Sequence, residues 1–436
     1  MSIGNFPRRK LPGPLRQPVR HALKFNSLKF NEHQAHAMVG DHGLAVSPTG
    51  PSQVSRTPSK RNPFFYKKQM ERQMKKTHIM TATSAAALIL FAPNVFAQSS
   101  VTLYGLVDTT VRYLTNADSA NNGQVAMGEG VETPSRWGLK GSEDLGGGLS
   151  AIFKLENQFQ LWSGKLDNSN NTLFQRNAYV GLSSDKYGAL TLGRQQTPFF
   201  DQMGNTYDPL TVGDFWQDSW VYNPVGPFLF TNSSVKYNGH FGGLNVEGMY
   251  GFGGVPGSTG ENSMYGLTAS YALGPLSADV GFQQNDVSGK KFNIVNVGAV
   301  YTFTPTVRVL AGWLHSQDQT GLADVDMQQA GAPTLPSVSP NRIDDSLYVG
   351  STWQVTPPLA LTLAGYYDHA RNAAMLDGGL GVGINYSATF LAEYSLSKRT
   401  EVYGTVDFTR GNGAFLADYP GRNNQTGVAI GLRNIF

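Results

Sequence analysis

The sequence predicts an all-β chain of about sixteen antiparallel strands, connected up and down and closed into a transmembrane barrel. Three observations predict it. Stretches of about ten residues alternate apolar and polar side chains, the period of a strand with one greasy face. Aromatic residues gather near the ends of the apolar faces. The chain also runs out in mid-strand, on TGVAIGLRNIF (426–436), whose last side chain is Phe436.

Composition removes several classes before any motif is read. The 436 residues include no cysteine, 50 glycines, 24 Phe and 19 Tyr, with 15% charged. Without cysteine there are no disulfides and no thiolate metal sites. The net charge of +3 hides an asymmetry. Residues 1–97 carry fifteen Lys/Arg against three Asp/Glu, and residues 98–436 carry nineteen against twenty-eight, a balance of −9. A body that acidic is a poor nucleic-acid binder.

The boundary between the two parts reads as a secretory signal. Lys75 and Lys76 follow Met74, then comes the apolar run AAALILFA (85–92), then Val95-Phe96-Ala97 before Gln98. A basic start, a short apolar stretch and small residues at −3 and −1 make a signal peptide over 74–97. A membrane-spanning helix needs roughly 20 apolar residues, and this run is shorter. Residues 1–73 are basic, rich in Pro and Ser, and without periodicity, so they are expected to be a disordered extension or to precede a true start at Met74. N-terminal sequencing of the unprocessed precursor distinguishes the two starts.

From 98 to 436 the strands follow in order. VTLYGLVDTTVRYL (101–114) puts Val101, Leu103, Val107, Val111 and Tyr113 on one side and Asp108, Thr110 and Arg112 on the other. IFKLENQFQLW (152–162) sends Phe153, Leu155, Phe159 and Leu161 one way and Lys154, Glu156, Gln158 and Gln160 the other. LALTLAGYYD (359–368) and TEVYGTVDFTR (400–410) repeat the arrangement. The connections alternate too. EDLGGG (143–148), SDKYG (184–188), GHFGG (239–243), LGP (273–275), FTPT (303–306), VTPP (355–358) and LSKR (396–399) are tight, whereas 116–133, 198–231, 316–341 and 411–423 are long and polar.

A soluble sandwich would bury the apolar face and show the other to bulk water. Here the apolar positions turn aromatic at Tyr113, Trp137, Phe153, Trp313, Trp353, Tyr367, Tyr386 and Tyr394, as in the belts of a lipid-facing wall. An unpaired sheet edge in lipid costs several kcal/mol per backbone group, so the sheet must close. The last strand is therefore expected to pair with 101–114, its parity of Val428, Ile430, Leu432 and Phe436 facing lipid.

Four stretches carry a family resemblance: SSVTLYGLVD (99–108), SRWGLKGSEDLGGGLSAIFKLE (135–156), RNAYVGLSSDKYGALTLGRQ (176–195) and the terminal GLRNIF. In order, over nearly all of 98–436, they resemble the general bacterial (Gram-negative) porins, the trimeric outer-membrane diffusion channels. The resemblance implies a homotrimer of sixteen-stranded barrels, a third extracellular loop folded into the lumen, and a water-filled channel for ions and small hydrophilic solutes. It further implies contact with outer-membrane lipid and lipopolysaccharide, and insertion by the outer-membrane assembly machinery, for which Leu432 and Phe436 belong to the signal. No cofactor is implied.

The loop in third place is 198–231, with Asp201, Asp208, Asp214 and Asp218 and no Lys or Arg between Arg194 and Lys236. In the family such carboxylates face basic residues on the wall, which map here to Arg136 and Arg194. Lys140 shares the parity of Arg136 and joins them. Parity adds Lys154, Arg308 and Arg342, because a Lys or Arg on the lipid side at mid-bilayer costs about 2–4 kcal/mol. Arg194 shares its parity with Leu190 and Leu192, so its place rests on the resemblance. The arginine that some relatives carry after the loop has no match, since FLFTNSS (228–234) is uncharged. Carboxylates opposite cations make a transverse field that orients polar solutes and penalises large apolar ones. Neutralising Asp208, Asp214 and Asp218 is expected to shift ion preference toward anions.

Enzymatic readings fare poorly. Glu143-Asp144 opens a glycine turn, and His240, His315 and His369 lie in separate segments without metal spacing. No GxSxG, HExxH or phosphate-cradling loop occurs, and GFGGVPG (251–257) lacks the strand-to-helix context of a dinucleotide loop. The alternative is a substrate-specific outer-membrane channel, for which Tyr348, Tyr366 and Tyr403 point inward without forming a run.

Overall fold

The computed structural model describes residues 100–167, 172–211, 223–326, 328 and 331–436. The expected extension (1–73), the signal peptide (74–97), Asp214 and Asp218 lie outside the described residues. The chain begins β1 (Ser100–Leu114), β2 (Gln124–Glu129), β3 (Arg136–Gly146) and β4 (Leu149–Gln158). It continues with β5 (Asn177–Ser184), β6 (Gly188–Gln196), β7 (Phe230–Phe241) and β8 (Leu244–Gly251). The longer strands follow: β9 (Met264–Leu273), β10 (Leu276–Val287), β11 (Lys290–Thr304), β12 (Val307–Asp318) and β13 (Arg342–Thr356). The last are β14 (Leu359–Ala374), β15 (Leu380–Ser395), β16 (Thr400–Gly413) and β17 (Asn424–Ile435). One short helix, α1 (Leu322–Asp326), stands in the loop after β12.

All pairings are antiparallel, and the sheet closes on itself. Residues 106–114 of β1 pair with 427–435 of β17. The chain's last residue continues that seam: Phe436 N donates to Gly105 O at 2.9 Å and Gly105 N donates to Phe436 O at 3.0 Å. The expected closure of last strand on first is what the structure shows. A closed ring leaves no unpaired backbone to face lipid.

Seventeen segments make sixteen staves. The other edge of β1 pairs with β3 over residues 100–106 and with β2 over residues 109–114. Segments β2 and β3 thus share one place in the ring, broken by the strap GVETPS (130–135). The sequence reading placed a loop over 116–133; the structure instead pairs 124–129 with β1 and bends the chain inward afterwards. Pro134 has no N–H for a ladder. A Cβ on Gly130 would run into the Asp108 carboxylate, so only glycine fits there. Val131 N donates to Tyr403 Oη (3.1 Å), Thr133 N to Asp108 Oδ2 (3.3 Å) and Ser135 Oγ to Asp108 O (2.9 Å). The strap therefore lies on the inner wall.

Side-chain parity sorts as the sequence predicts. Val101, Leu103, Val180, Leu267, Leu363 and Ile430 are exposed outward, while Asp108, Glu156, Asp279 and Asp407 are buried inward. The packed core sits where a globular protein has none, inside the ring. After β6 the chain makes a π-helical turn (Phe200–Tyr207) and later a 3-10 turn (Asn223–Phe228). Phe199, Met203, Tyr207 and Leu210 pack on inward-facing Phe292, Ile294, Leu310, Leu314, Tyr348 and Tyr366. Tyr207 Oη shares a 2.6 Å hydrogen bond with Ser277 Oγ, and Gln283 donates to Phe228 O (3.0 Å). These described residues of the third loop thus pack against inward-facing side chains of the wall. This packing explains why β11 carries apolar residues on its inner face.

Candidate pore lining

The basic wall is built on β3 and β4. Lys140 pairs in register with Lys154, and Arg136 with Gln158. The Tyr104 ring stands between the two ammonium groups, 5.2 Å from Lys140 Nζ and 5.8 Å from Lys154 Nζ. Beneath them, Glu156 is the anchor. It accepts from Tyr104 Oη (2.8 Å), Arg176 Nε (2.8 Å) and Asn177 Nδ2 (3.1 Å), and pairs with Lys154 Nζ (3.1 Å). A buried carboxylate with several donors holds its cations at fixed positions. Arg136 donates to Thr133 Oγ1 of the strap at 2.9 Å. Lys140 is exposed, and the Lys154 side chain keeps 26% of its surface. These three side chains stand near one another on β3 and β4, beside Tyr104, Glu156 and the strap.

Three other expected cations stand elsewhere. Arg342 is 3% exposed, held by Asp344 (2.9 Å) and Asp324 (3.0 Å) and stacked on Phe415 at 5.3 Å. Instead of lining a constriction, it ties α1 and the 414–418 turn to the wall. Parity told which side of the sheet it takes but not that loops cover that side. Arg194 pairs in register with Ala178, on the side of Leu190 and Leu192. Its guanidinium donates to Gln175 O and Asn232 Oδ1 (both 2.6 Å) and stacks on Phe230. A register slip between Gly193 and Gln195 leaves it without a register partner on β7, and it shares the Phe230 ring with Arg176. Gly193 has φ 140°, and a Cβ on it would collide with Ala178 O. Arg308 does face inward, beside the tight 304–306 turn, in a cavity of about 440 Å³ shared with Glu393 and Glu401.

The loop carboxylates divide in the same way. Asp201 keeps 25% of its side-chain surface and pairs with Lys236 of β7, which also reaches Glu247 at 2.8 Å. Asp208 is 0% exposed and accepts from Tyr366 Oη at 2.9 Å. It fastens the loop to β14, so the expectation that it faces pore water is corrected. The expected insertion-signal residues Leu432 and Phe436 are both exposed on the outer surface. Tyr104, Glu132 and Tyr403 were not among the expected site residues. A proline and a glycine flanking Val131 in a strand-like stretch were the available signal for the strap that carries Glu132.

A ring of strands that is greasy outside and charged within defines a membrane channel. The comparisons give it a family. The family profile described as Gram-negative porin matches residues 82–414. Outer membrane porin protein 32 of Delftia acidovorans is 29% identical over 395 residues, covering 83% of this chain and 100% of that one. An outer membrane porin protein of Bordetella pertussis is 28% identical over 415 residues, with 83% and 100% covered. Among solved structures, the anion-selective porin from Comamonas acidovorans matches with a TM-score of 0.61 at 25% identity, covering 78% of this chain and 100% of that chain. OmpT of Vibrio cholerae shares the fold at a TM-score of 0.55 and 17% identity, with 78% and 99% covered. This chain belongs to the Gram-negative porin family. It is a multi-pass outer-membrane channel for passive diffusion.

Proposed function

We propose that this porin is a non-specific diffusion channel with a preference for small hydrophilic anions, working without a chemical step. The observation that carries the reading is a difference in exposure. Asp108, Glu156, Asp208, Asp279, Asp344 and Asp407 are at most 5% exposed, whereas Lys140 is exposed and Lys154 keeps 26% of its side-chain surface; Asp201, at 25%, is taken up by Lys236. Buried carboxylates paired with cations present little net charge to permeating ions, while an exposed ammonium meets them directly. The −9 balance of the body is thus a poor guide to the field in the channel. The structural relative from Comamonas acidovorans is itself described as anion-selective. Tyr348, Tyr366 and Tyr403, the residues a substrate-specific channel would use, are 2–7% exposed beneath the loop and strap, which favours the non-specific reading.

The assembly is a homotrimer in lipid and lipopolysaccharide, inserted by the outer-membrane assembly machinery. The family resemblance supports this, and OmpT of Vibrio cholerae is described in a trimer form. The test is the reversal potential of the purified protein in a planar bilayer across a KCl gradient. Chloride preference is expected; a potassium-selective potential contradicts the reading.

A further inference from the structure

Three glutamates from distant parts of the chain converge inside the barrel toward its short-turn end. Glu132 comes from the strap, Glu393 from β15 and Glu401 from β16, and one carboxylate oxygen of each lies within 4.8 Å of the others. Arg433 of β17 approaches them, with Nη1 2.5 Å from Glu132, and Nη2 2.5 Å from Glu401 and 4.0 Å from Glu393. With Arg308 also attracting Glu393, two guanidiniums face three carboxylates, which leaves one negative charge uncompensated. Glu132 is 6% exposed, and its Oε1 has no hydrogen-bond partner. A buried carboxylate oxygen without a donor, aimed at two more carboxylates, is costly unless a cation, or a proton shared with Glu401, occupies the space. Arg308 lines a cavity with Glu393 and Glu401 and attracts Glu393 across it, so the cavity gives access from water while the count still falls one positive charge short.

We propose that Glu132, Glu393 and Glu401 bind one hard divalent cation of the calcium or magnesium class. Such ions take carboxylate oxygens and complete their shell with water, which the cavity of about 440 Å³ beside Glu393 and Glu401 supplies. No sulfur or imidazole ligand is in the set, which disfavours zinc or copper. The bound ion pins the strap to β15 and β16. It also removes negative charge from the mouth that anions must cross. The site stands on this geometry alone, and its failure leaves the anion reading from Lys140 and Lys154 untouched.

The experiment is equilibrium dialysis of the chelator-treated, detergent-purified protein against radioactive calcium, with magnesium as competitor. One ion per chain is expected. Glu393→Gln and Glu401→Gln, both on the cavity rim, are each expected to weaken binding about tenfold or more. Glu132→Gln should do the same, and if it fails to fold, the two rim variants still decide. Retention of no ion at millimolar calcium overturns the proposal. So does unchanged affinity in both rim variants, which would place the ion elsewhere.

Discussion

Tyr366 of β14 donates its hydroxyl to Asp208 of the third loop at 2.9 Å, joining residues 158 positions apart in the sequence. Both are buried, and the bond closes the loop onto the wall alongside Tyr207 and Ser277. Tyr366→Phe removes one donor at a buried carboxylate, a loss of about 1–3 kcal/mol. The expected outcome is a loop that leaves the wall more often, seen as noisier single-channel current and earlier thermal unfolding. Wild-type traces and melting would show that this bond does not hold the loop.

Selectivity should follow Lys140 and Lys154, not Asp208. Lys140→Glu combined with Lys154→Glu is expected to reverse the sign of the reversal potential in a salt gradient. Asp208→Asn should leave it close to wild type, because that carboxylate does not meet the pore water. A large shift on Asp208→Asn with none on the lysines would invert the assignment.

The loop between β12 and β13 carries a pH-sensitive contact. Its helix α1 packs on the 223–228 turn, where a Cβ on Gly226 would meet the Asp326 carboxylate. Burial pushes Asp326 up to about 7, against an ordinary value of about 3.9. The docked form therefore binds a proton between those values while the undocked form does not. Docking is strongest below about pH 4, weakens as pH rises toward 7 and levels off above it. The chain has no cysteine, so a spin label on Val325→Cys reads the segment cleanly. Its mobility is expected to rise over that window, and Asp326→Asn should flatten the response. A pH-independent spectrum in the otherwise wild-type chain rejects it.

Closure at the seam depends on Phe436. Deleting it removes the paired 2.9 and 3.0 Å backbone bonds to Gly105 and an aromatic at the outer surface. The yield of heat-modifiable barrel in the outer membrane is expected to fall several-fold, as judged by migration of unheated samples. An undiminished yield would deny the terminus its role.

The ring itself was legible from the sequence because lipid and water impose a period of two on every stave, as Val402, Val406 and Phe408 against Tyr403, Thr405 and Asp407 show. Parity also groups Arg136, Lys140 and Lys154 on one face, where β3 and β4 bring them together. It could not see what covers the inner face. Arg342 and Asp208 sit on the expected side, yet the loops that bury them return from elsewhere in the sequence. The strap broke the pattern for a local reason, at Gly130 and Pro134, but its target, Asp108, belongs to the preceding strand. The glutamate cluster was invisible for the same cause: Glu132, Glu393 and Glu401 have no spacing in common.

The account rests on the alternation of lipid-facing and water-facing residues, and single cysteines test it most directly. A fluorophore at Val406→Cys, exposed on the outer wall, should be quenched by nitroxide-bearing lipids and spared by a water-soluble quencher. The same fluorophore at Lys140→Cys, inside the ring, should behave in the opposite way. Quenching of the Val406 label from water, or of the Lys140 label from lipid, would contradict a water-filled pore in this barrel.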